Sequence, residues 1–387
     1  MTANAMQFFP TVDSQAIDAV LAGWQSAYPH MGVLALLPET EQEAVPVLQQ
    51  ACKARGVPLV GALFPAIIAD ASFHSNGVWL LRFNTMPYVA LHADLPCDGT
   101  ALTQAVETIV AGIRPNIGNS GREITLFMLF DAMVPNIGTL LDELYLTLAN
   151  RVHYMGANAG SESFQPMPCL FDGERIVQNG VLVMLLEPHQ GAILDHGYGV
   201  PEQTITATST DGNRILQIDW RPAFDVYQEL AKSQYGVDIN RENFYQYGVH
   251  FPFGIVRANG VILVRIPVAL EEDGSLFCVG EVPPNSMVTL LQAPTVDSAG
   301  TLDTLENGLQ DLYGALDARE LLLFYCAGRR LHLGIESATD EIRRLVEQVH
   351  PVQLAGALSL GEIGSTTQWG YPLFHNATLV ATAWDGE

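Results

Sequence analysis

Three side chains in the last quarter of the 387-residue chain, Cys326, Arg329 and Glu362, have the types needed for chemistry on a bound molecule. A thiol at a strand end would supply a nucleophile, the guanidinium an anion holder and the carboxylate a base. The same trio admits another arrangement, in which Arg329 and Glu362 pair to hold two strand ends together and Cys326 packs as a small hydrophobe. It also suits binding: Arg329 would clamp a carboxylate bidentately while Glu362 accepts hydrogen bonds from an amine, so an amino acid or a haem propionate is a fitting guest. Arg265, within the apolar run Val261 to Ile266, is either a second anion partner or a strand-end arginine in solvent.

Ten histidines form no H-x-H or H-x-x-x-H pair, which speaks against a multi-histidine metal centre. Haem asks for less: one axial ligand, an apolar slot and partners for its propionates. The run Phe244-Tyr-Gln-Tyr-Gly-Val-His250-Phe-Pro-Phe253 sets His250 among five aromatic residues, with Arg257 shortly after. His196 is the second candidate iron ligand, because the adjacent Asp195 would orient its ring. His375 is the third, with a structural hydrogen bond as its other reading. No nucleophile elbow, Walker loop or G-x-G-x-x-G loop stands in a strand-to-helix context, so hydrolase and nucleotide chemistry find no support.

The elements that must position these groups repeat three times. Gly32 to Leu37, a helix over 45–55, Val57 to Phe64 and Asn76 to Phe83 make the first module. Ile124 to Phe130, a helix over 138–151, Val152 to Gly160 and Asn179 to Leu186 make the second. Leu321 to Cys326, a helix over about 339–350, Pro351 to Leu358 and Asn376 to Trp384 make the third. In each, the second strand is expected to end in a Gly-Ala turn, at Gly61, Gly156 and Gly356. Between the second and third modules lies a strand-and-turn stretch, with a hairpin turning at Asp211-Gly and a helix over 221–235 opened by Pro222.

Nearly unbroken apolar strands imply sheets covered on both faces. The expected fold is therefore α/β (mixed α+β): layered sheets covered by helices, built from duplicated strand-helix-strand modules in two packed halves. Residues 1–190 form one half and 191–387 the other, the second entered through a junction and strand-rich stretch over 191–300. A cleft between the halves is the natural ligand site.

Composition narrows the partners. The chain is 48% apolar and 16% charged, with 18 basic against 42 acidic residues and a net charge of −24. That disfavours nucleic acid and anionic membrane surfaces. No apolar run reaches the roughly 20 residues of a membrane span, and the N-terminus shows no signal-peptide pattern, so a cytoplasmic protein is expected. Five cysteines without C-x-x-C spacing fit reduced, buried thiols.

The ordered landmarks Val152 to Gly160, Phe171-Asp-Gly, Asn179-Gly-Val-Leu-Val, His196-Gly and Thr204-Ile-Thr-Ala-Thr resemble the FIST N-terminal domain. Ile218-Asp-Trp-Arg-Pro-Ala-Phe224, Phe251-Pro-Phe-Gly254, Phe324-Tyr-Cys-Ala-Gly-Arg329, Gly361-Glu-Ile-Gly364 and Phe374-His-Asn-Ala-Thr378 resemble the FIST C-terminal domain. The resemblance spans nearly the whole chain and implies intracellular sensing of a small ligand rather than catalysis. One subset of the family implies haem b, nitric oxide as the signal and a histidine kinase regulated in trans. The alternatives are a sensor of an amino acid or other small carboxylate without haem, and an enzyme using Cys326. At Gly61-Ala-Leu-Phe-Pro65 the chain departs from the Gly-Cys-Ser/Thr turn of many members.

Overall fold

The computed structural model describes residues 4–96, 99–117, 123–199, 201, 203–257, 260–296, 300–365 and 370–386. The first repeat runs β1 (Met6–Phe9), α1 (Ser14–Ala27), β2 (Gly32–Pro38), α2 (Val45–Arg55), β3 (Leu59–Phe64), the hairpin β4 (Ile67–Ala69) and β5 (Ser72–His74), and β6 (Val78–Phe83). The second keeps that order with β7 (Tyr88–His92), α3 (Gly99–Ile113), β8 (Thr125–Asp131), α4 (Ile137–Leu148), β9 (His153–Ala159), β10 (Leu170–Asp172), β11 (Ile176–Val177) and β12 (Val181–Leu186).

The third repeat starts with β13 (Ile193–Asp195) and is then interrupted by a separate sheet. That insertion comprises β14 (Ile205–Asp211), β15 (Arg214–Ile218), β16 (Arg221–Pro222), α5 (Ala223–Tyr235), α6 (Phe244–Tyr247), β17 (Phe253–Val256), β18 (Ile262–Arg265), β19 (Pro267–Leu270), β20 (Leu276–Cys278) and β21 (Ser286–Leu290). The repeat resumes with α7 (Thr301–Tyr313), β22 (Glu320–Cys326), α8 (Ala327–Leu333), α9 (Ile335–Val349), β23 (Gln353–Ser359), β24 (Glu362–Gly364), β25 (Leu373–His375) and β26 (Leu379–Ala383). The division at 190/191 falls between β12 and β13.

Each repeat builds one six-stranded sheet, and the three sheets share one strand order: β1-β6-β2-β3-β10-β11, β7-β12-β8-β9-β24-β25 and β13-β26-β22-β23-β4-β5. In every sheet the two central strands are parallel and the return strand is antiparallel. The last two strands always come from another repeat. The first repeat gives its hairpin to the third, the third to the second, and the second to the first. The fold is thus a ring of three repeats locked by exchanged hairpins.

This exchange corrects the reading of the repeated glycines. Gly61, Gly156 and Gly356 lie inside β3, β9 and β23 rather than in turns. Each faces the incoming hairpin, in register with Phe171, Ile363 and Ile68 respectively. A Cβ at Gly156 would collide with the Met128 carbonyl oxygen and stand 3.3 Å from Ile363 Cδ1. Glycine is needed there because the adjoining strand β8 of the same repeat leaves no room for a Cβ, and the exchanged hairpin closes the other side.

Alternation along the strands explains their unbroken apolar character. Leu34, Leu36, Phe64, Phe127, Leu129, Leu322 and Phe324 belong to one core shared by all three sheets. The Phe64 and Phe127 rings lie 5.7 and 5.9 Å from Phe324. The intervening residues face helices: Leu126, Met128 and Phe130 pack with α3 and α4, and Leu321, Leu323 and Tyr325 with α7 and α9. Residue 222 is the cap of α5 rather than its first residue, and the helix expected over 339–350 starts earlier, at Ile335. No helix among the described residues is long and apolar enough to cross a membrane. Cys52, Cys169, Cys278 and Cys326 are free and buried, and Cys97 lies outside the described residues.

Candidate functional site

The carboxyl ends of parallel strands leave open space where the chain turns into the following helix, and ligands of α/β proteins gather there. Here β22 ends at Cys326 and passes directly into α8, while β8 ends at Asp131 ahead of the loop to α4. The inserted sheet covers both ends, and two chambers remain beneath it. One, of about 250 Å³, is lined by Cys326, Gly328, Leu331, Ile266 and Asn376 among others. The other, of about 510 Å³, is lined by Val134, Ile137, Asn158, Ala269, Phe277 and Phe374 among others. Phe164, Val268 and Val279 line both, so the chambers adjoin.

Their walls are mainly apolar, with two buried exceptions. Asn376 donates from Nδ2 to the His375 carbonyl at 2.9 Å, which turns its Oδ1 away from that bond, and the buried Oδ1 has no partner among the described residues. Asn158 likewise leaves Oδ1 without a partner, and both residues are 1% exposed. A buried acceptor without a donor costs about 1–3 kcal/mol. Neither Asn158 nor Asn376 had been singled out as a site residue from sequence. The visible signal was an Asn at the end of β9 and another opening the return strand beside a chemically suggestive Cys.

The Cys326 thiol borders the smaller chamber and is held from behind. Its Sγ accepts the Ala377 backbone N–H at 3.0 Å. Burial and then the neighbouring Glu362 carboxyl push the thiol well above its ordinary range. Glu362 accepts from Ser359 Oγ at 2.5 Å and from Thr378 Oγ1, with the thiol as a further donor. Burial outweighs those bonds and pushes Glu362 up to about 7. A protonated thiol tied into such a network packs rather than attacks.

Arg329 does not pair with Glu362. It forms a bidentate pair with Glu341 of α9, from Nη2 at 2.6 Å and Nε at 2.8 Å, and Tyr325 donates to the same carboxylate at 2.6 Å. Its Nη1 donates to the His196 carbonyl at 2.8 Å. The guanidinium is therefore internal bracing, not a clamp for a guest carboxylate, and the proposed nucleophile, anion holder and base are not assembled. Sequence reasoning missed Glu341, although it sits on the buried stripe Ala338, Glu341, Ile342, Leu345 of α9. An acid on an apolar stripe announces a buried cation partner.

Arg265 is buried, not in solvent. It donates to the carbonyls of Glu281, Val264 and Phe374 at 2.8–3.0 Å, tying β18 to β25. Burial pulls its guanidinium down to about 10.

The three candidate iron ligands differ. His196 uses both ring nitrogens: Nδ1 accepts from the Tyr198 N–H at 3.0 Å, and Nε2 donates to the Ile262 carbonyl at 3.2 Å. These backbone groups, rather than Asp195, fix its tautomer. His375 is fully buried; the Gly364 backbone lies beside its ring, and among the described residues neither ring nitrogen makes a hydrogen bond of regular geometry. Burial, followed by His196 and Arg265, holds His375 well below the usual imidazole range.

His250 lacks the aromatic cage its neighbours in sequence suggested. Phe244 and Phe253 pack with Tyr227 in the core of the inserted sheet, Phe251 lies against Tyr235, and Tyr245 is exposed. The ring beside His250 is His332, with their Nδ1 atoms 2.6 Å apart. His332 Nε2 lies 3.2 Å from the Pro294 carbonyl and must carry the proton, so His332 Nδ1 accepts from His250 Nδ1–H. His250 Nε2 is then left with a lone pair and no partner among the described residues.

Haem would require an axial ligand and propionate partners around a slot. The described lining of the two chambers contains no histidine, arginine or lysine, and Cys326 is held as a thiol. The chambers therefore do not fit haem; His250, whose Nδ1 pairs with His332, lies outside their described lining. Among the described residues no cluster of three or more His, Cys, Asp or Glu is placed to hold a metal ion.

The arrangement offers a mostly apolar hollow, large enough for a small molecule, between the second repeat, the third repeat and the inserted sheet. Comparison with known families agrees with the landmarks: residues 32–221 match the FIST N domain and residues 223–365 match the FIST C domain. No curated protein matches the chain.

Proposed function

Because this chain is a FIST-domain protein, carrying both the N and the C domain, we propose that it senses a small ligand held in the paired chambers and passes that occupancy to a partner protein. One observation carries the reading: a mostly apolar hollow lies at the carboxyl ends of β8 and β22, where the second repeat, the third repeat and the inserted sheet meet. A ligand there touches the second repeat, the third repeat and the inserted sheet at once. Binding would stabilise the arrangement in which those three bodies close on it, which is what a sensor requires. The surface charge of −24 favours a partner with a basic docking face; a histidine kinase acting in trans is the partner class the family resemblance implies.

Val268 is 36% exposed and lines both chambers, so Val268→Trp obstructs the place where they meet with little strain on the core. The purified chain is incubated with a small-molecule extract, washed, and its retained molecules identified by mass spectrometry. A species retained by the parent and lost from Val268→Trp supports the reading. Equal retention by both places the ligand elsewhere.

A second reading, haem as nitric oxide receptor, is favoured by one observation: His250 Nδ1 lies 2.6 Å from His332 Nδ1, a contact that would orient the His250 ring and leave its Nε2 as the atom to ligate. Haem, when bound, would supply the nitric oxide chemistry; His250 would hold it and His332 would fix the ring. A Soret band lost in His250→Ala and weakened in His332→Phe supports this reading. A band unchanged in both removes it.

A further inference from the structure

One face of the hairpin β17–β18 lines a smaller cavity, of about 80 Å³, beside the larger chamber. Ile255 pairs with Leu263 across the hairpin, and the Arg257 N–H continues the ladder to the Val261 carbonyl at 2.9 Å. Alternate residues of a strand share a face, so Ile255, Arg257, Leu263 and Arg265 point to the same side, and all four line this cavity. Thr139 in the first turn of α4 and Phe374 of β25 help to complete the wall.

We propose that this cavity binds a small oxyanion, a carboxylate or phosphate group, received by Arg257 and by Nη2 of Arg265. Unmet donors carry the argument. Arg265 is 3% exposed, and it donates from Nε to the Glu281 carbonyl and from Nη1 to the carbonyls of Val264 and Phe374. Its Nη2 makes no hydrogen bond with a described residue. The Arg257 guanidinium makes neither a hydrogen bond nor an ion pair with any of them. A guanidinium carries five N–H donors, and buried donors in folded proteins find acceptors.

The acids in the same wall are in the opposite condition. Asp142 accepts the Tyr371 hydroxyl at 2.9 Å, and Glu281 accepts the Thr139 N–H and Oγ1–H at 2.9 and 2.6 Å. Neither carboxylate bonds to Arg257 or Arg265, so what the cavity lacks is acceptors. Charge at the arginine end points the same way. Burial, with the Arg257 charge as a lesser cause, pulls the Arg265 guanidinium down to about 10 against Cys278 and Glu281. A neutral carbonyl would occupy the empty donors, but an anion also relieves the repulsion between the two guanidiniums and takes the stronger hydrogen bonds. The volume admits a compact group rather than a large apolar body.

The full chain is titrated calorimetrically with sodium phosphate and sodium malonate against sodium chloride at matched ionic strength. Phosphate or malonate is expected to bind without competition from chloride, and whichever binds tighter names the group. Arg257→Gln removes a side chain with no partner to lose, and it should weaken that binding by about tenfold or more in Kd; Arg257→Lys should weaken it less, keeping the charge and losing the fork. Thermal unfolding midpoints confirm that both variants fold. Val268→Trp, which obstructs the chambers, should leave oxyanion binding intact, so failure of this proposal and failure of the chamber reading are told apart. Binding unchanged in Arg257→Gln, loss of binding in Val268→Trp, chloride competing as well as the oxyanions, or no binding of either oxyanion up to tens of millimolar would each overturn the proposal.

Discussion

Glu341→Leu is the substitution that most sharply separates internal bracing from ligand capture at Arg329. Both partners are buried, at 3% and 1% side-chain exposure, and the carboxylate takes two bonds from Arg329 and one from Tyr325. Burial opposes the charge on Arg329, and Glu341 more than offsets it, raising the guanidinium above its ordinary range. Removing the carboxylate leaves a cation in a dry site, which typically costs about 3–5 kcal/mol. With a urea slope of about 3 kcal/mol per molar, the midpoint should drop by about 1–2 M. Arg329→Met combined with Glu341→Leu should be less destabilised than Glu341→Leu alone, because the unpaired charge is gone. A loss below about 1 kcal/mol for Glu341→Leu would refute the reasoning and return Arg329 to the ligand candidates.

Other expectations follow from the buried network and the ring. Glu362 titrates near 7 in the folded chain against 4.5 when free, so its contribution is fully present below about 4.5 and is lost as the pH rises through 7. Glu362→Gln should remove about 3 kcal/mol of pH dependence over that window, read as the difference between parent and variant urea midpoints. His189 and His332 are pushed down to about 4, chiefly by burial, so the sign reverses: their contribution holds above 6.5 and disappears as the pH falls through 4. His332→Phe should flatten part of the acid limb of stability between 6.5 and 4, measured in the same way. Gly156→Ala sets a methyl against the Met128 carbonyl and the exchanged hairpin, and should cost about 1–3 kcal/mol in urea unfolding, with Ile363→Ala failing to restore it because the backbone clash persists.

Much of the fold was legible because the repeats carry their own marks. The helix expected over 45–55 coincides with α2, and the strand-helix-strand order of all three modules is found. The hairpin exchange was not legible. Strands as short as Ile67–Ala69 and Leu170–Asp172 carry no pattern that names their partner, and local alternation reports only which face is buried. The site residues divide along the same line. Cys326 and Glu362 do converge near one cavity, because the end of β22 and the start of β24 meet there. Arg329 and Arg265 were misread because sequence shows a cation but not which carbonyls and carboxylates surround it. His250 was misread because aromatic neighbours along the chain point into different packing layers.

The decisive measurement is diffraction from crystals of the full chain soaked with the molecule it retains from extract, used as the probe. The account predicts density within the chambers, against Phe164 and Val268. Chambers closed by repacked side chains, or probe density confined to another surface, would contradict it.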